Sequence, residues 1–319
     1  MKDRHAALLT VCVASVRLAL AQDAAPPHIE VSTSEDAPTT FVVYGDTRFT
    51  ERPDVVVAPA RQALVERIAD EHPAAVFIGG DLVYQGSDAA DYAAFRRDTQ
   101  AWSAQNINVF PALGNHEFRS GCDRDAASSV CLDNWWQSFP ALQPHRWYSV
   151  SLGPRLLVLL LDTDAHLKSG SPQRRWLEAQ IDTVPDEVRF ILLVMHYPPV
   201  RDPIFPRSRD EAEIARYLAK RHKSLHAQVV VIGSHVHNYE RFRRDDITYL
   251  VSGGGGAKPV PAFRMSGELS HLKTSTNFHY IRFVLDGERL TGTMVRFEPS
   301  AHGIDPWSEP DRFEVLARP

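Results

Sequence analysis

Five times along the chain a short apolar run stops at a residue able to hold a cation. FVVYG leads into Asp46, Thr47 and Arg48, VFIGG into Asp81, Leu82, Val83 and Tyr84, and FPALG into Asn115, His116 and Glu117. LLVM leads into His196 and Tyr197, and VVIGS into His235, Val236 and His237. Short runs of this kind, bounded by glycine and rich in Val, Ile, Leu and Phe, read as buried strands. In open α/β sheets ligands collect beyond the carboxyl ends of the strands. Any single Gly-Asp or Gly-Asn pair is an ordinary turn signal. A set of independent turns that all carry Asp, Asn or His is much harder to obtain, so the five run ends are expected to face one crevice.

Helix-like stretches separate the runs. They are DVVVAPARQALVERIADEH, DAADYAAFRRDTQAW, SPQRRWLEAQI and SRDEAEIARYLAKRHKS, the third opening with Ser171 at the N-cap and Pro172 at the first helical position. RWYSVSL and RLLVLLLD are expected to pair across Gly153-Pro154, and FHYIRFVLDGERL and LTGTMVRFE to form a hairpin at Asp286-Gly287. DITYLVSGGGG reads as one more strand. Alternation of β and α early, with strands added late, predicts one layered α/β domain over residues 39–319. The Ala/Pro/Ser-rich residues 22–38 read as an extended lead-in.

Residues 1–21 differ from the rest. MKDRHAALLTVCVASVRLALA has the basic start, apolar middle and Ala19-Leu20-Ala21 ending of a secretory signal, cleaved before Gln22. Arg17 interrupts its apolar stretch, and the alternative is an amphipathic N-terminal helix of a cytosolic protein. Removing the segment takes Cys12 with it. Cys122 and Cys131 remain, an even count that in an exported chain suggests a disulfide closing the loop between them. In a cytosolic chain the same residues would be two free thiols. The expectation is export, to the periplasm or beyond. The full chain carries a net charge of −5, which argues against nucleic acid or an anionic membrane surface as the main partner. No later apolar run approaches transmembrane length, so no membrane association is expected once the signal is gone. The residues carry no signal for an oligomeric state.

Two carboxylates, an amide oxygen, three imidazoles and a phenol are too many ligands for one zinc, and a structural zinc site would favour cysteine. The set suits two metal ions sharing a carboxylate, an arrangement that clamps the entering and leaving oxygens of a phosphoryl group. In order, GDTR, GGDLVY, GNHE, MHYPP and GSHVHNYER resemble the five motif blocks of the calcineurin-like metallophosphoesterases. The GDxxY form of the second block and the HVHNYER of the fifth look most like the purple acid phosphatase branch. The resemblance runs from about Phe41 to Gly256 and implies a four-layer αββα sandwich with two mixed β-sheets. It also implies a ligand set. Asp46, bridging Asp81, Tyr84 and His237 would hold the first metal, and Asp81, Asn115, His196 and His235 the second. Two carboxylates and a phenolate suit Fe(III) at the first site, and the neutral ligands suit divalent Zn, Mn or Fe at the second. His116 would stabilise or protonate the leaving oxygen; the alternative is a structural histidine.

The implied function is an exported, acid-phosphatase-like hydrolase of small phosphate monoesters, working by attack of a metal-bound hydroxide on phosphorus. The same centre serves phosphodiesterases and nucleotide pyrophosphatases. A catalytically inactive metal-binding protein of this fold would be expected to lack ligands, and each expected ligand is present. Three departures stand out. Arg48 occupies a position where many relatives have a ligating histidine; it is expected either to bind substrate phosphate or to pair with a nearby acid. The segment after His196 offers Arg201, Arg207 and Arg209 where purple acid phosphatases often have a further histidine. Residues 22–38 are too few for the N-terminal fibronectin-like domain of larger members. The segment from Arg119 to Arg146, with Trp135 and Trp136 in it and Trp147 next to it, is therefore expected to lie over the site. Its aromatics would stack on a substrate ring or form the loop's own small core.

Overall fold

The computed structural model describes residues 25–34, 37–52, 57–119, 130–202, 209–261, 277–299 and 305–318. The expected signal segment 1–21, together with Cys122, Arg207 and the greater part of the loop after Arg119, lies outside the described residues. Each apolar run with a ligand-capable end becomes a strand. β2 (Thr39–Tyr44), β3 (Ala75–Ile78) and β4 (Asn108–Pro111) are parallel neighbours, linked through α1 (Ala58–Asp70), α2 (Ala89–Asp98) and α3 (Gln100–Ala104). Beyond β2 the same sheet continues antiparallel with β11 (Phe278–Asp286), β12 (Arg289–Phe297) and β13 (Trp307–Leu316), giving six strands in the order β13-β12-β11-β2-β3-β4.

The second sheet holds β1 (His28–Val31), β5 (Tyr148–Leu152), β6 (Leu156–Leu160), β7 (Phe190–Val194), β8 (Gln228–Gly233), β9 (Tyr239–Arg244) and β10 (Ile247–Ser252). Its seven-strand order is β1-β5-β6-β7-β8-β10-β9. Within it β6, β7, β8 and β10 are mutually parallel, with crossovers through α5 (Pro172–Asp182) and α6 (Arg209–His222). A short helix, α4 (Asp133–Ser138), precedes β5.

The two-residue period of a strand sorts these side chains into layers. Leu156, Val158 and Leu160 of β6 join Phe41, Phe77 and Phe283 of the other sheet in the central core. Leu157, Leu159 and Leu161 instead pack with Leu177 and Ile181 of α5 and Ile214 and Leu218 of α6. With α1 covering the first sheet, the layers are helix, sheet, sheet, helix, the αββα sandwich with two mixed sheets. Helix starts follow their caps: Ser171 Oγ accepts from Arg174 N at 3.3 Å, and Asp88 Oδ1 accepts from Ala90 N at 3.0 Å. Among the described residues no helix is long and apolar enough to cross a membrane.

Three strands have no apolar run to announce them. β1 lies inside the lead-in and pairs in parallel with β5, so residues 28–31 belong to the sheet. β9, YERFRR, is an edge strand that exposes Arg243 and Arg244 and buries Tyr239, Glu240 and Phe242; it is joined to β10 by Asp245 and Asp246, both at positive φ (51° and 60°). That is the backbone a tight two-residue hairpin requires. β13 buries Phe313 across from Gly292, whose missing side chain makes room for the ring. Trp135 and Trp136 sit in the central core, which favours the core role for these aromatics over a substrate platform. Cys131 is buried beside them.

β9 and β13 lie in different sheets, yet one carboxylate ties them. Asp311 of β13 accepts from Tyr239 Oη (2.7 Å), Arg241 Nε (2.7 Å) and Arg241 Nη2 (2.9 Å), both partners being on β9. Asp311→Ala would leave a largely buried guanidinium unpaired and is expected to cost about 2–3 kcal/mol. Urea unfolding checks this; an unchanged midpoint would mean the pair contributes nothing to sheet closure.

Candidate metal centre

The strand ends meet because small residues let them. Ser234, after β8, inserts its side chain against Gly45 and Gly79, the residues that follow β2 and β3. A Cβ at either glycine would collide with the Ser234 hydroxyl, so two sheets approach here at a distance only glycine permits. Ser234 Oγ donates to Ser252 O at 3.1 Å, adding the end of β10 to the junction. From there the chain turns sharply. Asp46, Arg48, Asp81 and His235 all take positive φ, at 58°, 46°, 53° and 65°, an uncommon conformation for non-glycine residues that collects in turns and at functional sites. Asp46 N donates to Gly80 O (3.1 Å) and Arg48 N to Asp81 O (2.9 Å), so the turns after β2 and β3 brace each other.

Asp46, Asp81 and His196 are buried, and each offers a ligand atom within 4.8 Å of the others. Asp46 Oδ2 accepts from His235 N at 2.7 Å. Its Oδ1 is buried without a hydrogen-bond partner, with His237 Nε2 3.4 Å away and Arg48 Nη2 3.9 Å away. Asp81 Oδ1 accepts from His116 N (2.9 Å) and lies 3.3 Å from His196 Nε2. That nitrogen is also 2.9 Å from Asn115 Oδ1 and 3.2 Å from His235 Nδ1.

Three imidazoles share one orientation. Nδ1–H donates to a backbone carbonyl in His196 (Gly79 O, 3.1 Å), His237 (Lys258 O, 2.9 Å) and His116 (Tyr84 O, 2.6 Å). In a neutral ring this leaves Nε2 with its lone pair exposed, the usual preparation of a metal-ligating histidine. Around His196 Nε2, a carboxylate oxygen, an amide oxygen and a second imidazole nitrogen crowd together. Such a set is stable only with positive charge among its members, and with the orphaned Asp46 Oδ1 it fits a cation centre. Tyr197 closes one side, its ring 4.5 Å from that of His235.

Charge in the site is tightly managed. Burial alone would raise the Asp81 carboxyl, but His196, His116 and Arg48 hold it well below the usual range. Burial, reinforced by the neighbouring His196, lowers His235 to about 4. Burial also lowers His116, against the pull of Asp81. At His237 burial is overcome by Asp46 and the pKa rises.

A profile of the calcineurin-like phosphoesterases matches residues 39–239, a span running from β2 to the start of β9 and containing each of these strand ends. The chain belongs to that family. No curated protein sequence matches it. Among solved structures, a purple acid phosphatase from yellow lupin seeds superposes with a TM-score of 0.69 at 17% identity, over 88% of this chain and 54% of that one. This chain thus spans about half the length of that phosphatase. A dimetal phosphatase from Danio rerio gives 0.58 at 13% identity, covering 88% of this chain and 99% of the other. GAP50, the anchor in the inner membrane complex of Plasmodium, gives 0.60 at 16%, covering 88% and 90%. These likenesses establish a shared fold.

Within this family member, not every expected residue stands alike. Asp46, Asp81, Asn115, His196, His235 and His237 converge as described. Arg48 lies on Asp81 Oδ2 through Nε (3.2 Å) and Nη2 (2.9 Å), so it pairs with a nearby acid, and Nη1 stands outside that pair. Tyr84 packs its ring 5.1 Å from that of His116, and no described contact joins its hydroxyl to Asp46 or Asp81. Asp162, a further carboxylate beyond β6, is held by Arg146 at 2.5 Å.

Two glutamates support the centre. Glu117 Oε2 accepts from Gly114 N (2.6 Å) and Asp81 N (3.1 Å), and Oε1 from Val83 N (3.3 Å), fixing the turns after β3 and β4 together. Burial and the nearby Asp81 push its pKa well up. Glu240 accepts from Asp202 N (2.7 Å) and Asn238 Nδ2 (3.0 Å), joining the loops after β7 and β8. GNHE and HNYER contain both residues, but a buried acceptor of backbone amides has no sequence signature beyond its presence in the motif. Glu117→Ala strands three buried N–H donors and is expected to cost about 3 kcal/mol or more. Urea denaturation measures it, and a loss under about 1 kcal/mol would show that water replaces the carboxylate.

Proposed function

We propose that this chain is a two-metal hydrolase of phosphate monoesters. The observation that carries the reading is the buried convergence of Asp46, Asp81 and His196, with Asp81 Oδ1 3.3 Å from His196 Nε2. Asp46, Asp81 and His237, with Tyr84 as the fourth ligand of the family pattern, would hold one ion. Asp81, Asn115, His196 and His235 would hold the other. The carboxylate-rich first set favours Fe(III), and the amide and imidazole set favours divalent Zn, Mn or Fe. Two such ions supply positive charge for the phosphoryl oxygens and the acidity that makes water a nucleophile at neutral pH.

The chain's own residues do the rest. His196 and His237 are locked by their Nδ1–H bonds, so their donor atoms need no reorganisation when the centre fills. Arg48 neutralises one oxygen of Asp81 through Nε and Nη2, which leaves Nη1 to take a phosphoryl oxygen. His116 is held by Tyr84 O with Nε2 only 3.8 Å from Asp81 Oδ2, beside the ion positions. From there, as the imidazolium with both nitrogens protonated, it hands the Nε2 proton to the departing alcohol and is left neutral with Nδ1–H still on Tyr84 O. The basic, apolar and Ala-x-Ala order of residues 1–21 supports an exported location.

Metal-loaded protein should turn over 4-nitrophenyl phosphate faster than bis(4-nitrophenyl) phosphate. Asp81→Asn or His235→Ala should reduce that rate by more than about a hundredfold while lowering bound metal by mass spectrometry. A preference for the diester would move the activity to phosphodiester hydrolysis, and turnover of neither would remove the hydrolase reading. His116→Ala should cost about a hundredfold or more in kcat on an alkyl phosphate and less on 4-nitrophenyl phosphate, whose leaving group needs little protonation. Equal losses on the two would make His116 structural.

A further inference from the structure

Arg119 follows His116 within the same turn, and its amide donates to His116 O at 3.2 Å. Its Nη1 stands 3.5 Å from both ring nitrogens of His116, and its guanidinium carbon lies 4.2 Å from the centroid of the Tyr84 ring. The residue is exposed. Nearby arginines are neutralised: Arg48 by Asp81, Arg52 by Asp88, Arg61 by Asp98 and Arg97 by Glu51. Among the described residues Arg119 forms no ion pair with any carboxylate, Asp46 and Asp81 included. The Tyr84 face steadies the plane of the guanidinium and Nη1 lies against the His116 ring, while Nε and Nη2 have no hydrogen-bond partner among the described residues and remain available as donors to phosphate or carboxylate. A fixed, charged fork is thus held beside the one histidine assigned to the leaving oxygen.

We propose that Arg119 is a specificity residue that favours substrates whose leaving group carries its own negative charge, a phosphorylated leaving group above all. The inference rests on the placement of His116 at the leaving oxygen. With His116 at that oxygen, an anionic group one or two bonds further along meets the guanidinium, and pairing is bidentate when that group is a phosphate. An uncharged aryl or alkyl leaving group gains nothing from it. The carboxylates of Asp46 and Asp81 play no part in this discrimination, because Arg119 pairs with neither of them.

The test compares inorganic pyrophosphate with 4-nitrophenyl phosphate on metal-loaded wild type, Arg119→Gln and Arg119→Lys. The ratio of kcat/KM for pyrophosphate over the aryl ester should fall about tenfold or more in Arg119→Gln, chiefly through KM, and partly recover in Arg119→Lys. Equal losses on both substrates, or a lowered thermal midpoint accompanying them, would make Arg119 a prop for His116 and Tyr84 and overturn the proposal. Wild type that cleaves the aryl ester but not pyrophosphate would overturn it too, while leaving the monoesterase reading standing. Turnover of neither substrate would bring down that parent reading and this proposal together.

Discussion

The carboxylate of Asp81 is the charge around which the rest is built. It has no exposure to solvent, and an isolated carboxylate in such a place would take up a proton rather than stay ionised. His196, His116 and Arg48 surround it, and the amide of His116 donates to it. Those neighbours come from three different strand ends, those of β2, β4 and β7, so the two sheets must be in register with each other before Asp81 can be ionised. Glu117 contributes from below by holding Asp81's own amide. The centre is therefore a product of the whole sandwich and not of any one motif.

The backbone around it is arranged against its local preferences. Four non-glycine residues in left-handed conformation each carry a cost of about 1–3 kcal/mol, and glycines stand wherever a side chain would separate the strand ends. Gly114 illustrates the fit: a Cβ there would lie 2.5 Å from both Asp81 N and Asp81 Oδ1. Gly253 is as close to the other carboxylate, its Cβ position being 2.6 Å from Asp46 Oδ2. Such a junction persists only because the layers on either side are fully packed, with both faces of the central strands buried in separate apolar clusters.

The apolar runs and their polar ends were legible because burial on two faces leaves a long unmixed hydrophobic signal. β9 and β13 lack it. They are edge strands with one face in water, and their polar residues read as loop. β1 is held mainly by backbone pairing to β5, which any extended segment can make. Convergence of Asp46, Asp81, Asn115 and the ligand-type histidines followed from strand direction alone. The positions of Arg48 and Tyr84 did not, because a side chain's direction after a left-handed turn depends on partners from other loops. The Trp-rich segment was legible only as a pair of alternatives, and packing of Trp135 into the central core separates them.

The hydrogen bond between His235 N and Asp46 Oδ2 joins residues 189 positions apart. A contact that long-range closes a loop of about three fifths of the chain and can form only once both ends of it are present. The growing polypeptide consequently passes most of its synthesis with its first carboxylate in place and the imidazoles that complete the centre still to come. Binding of an ion by the full ligand set would thereby be coupled to completion of the fold, since a chain that ends before His235 lacks part of that set.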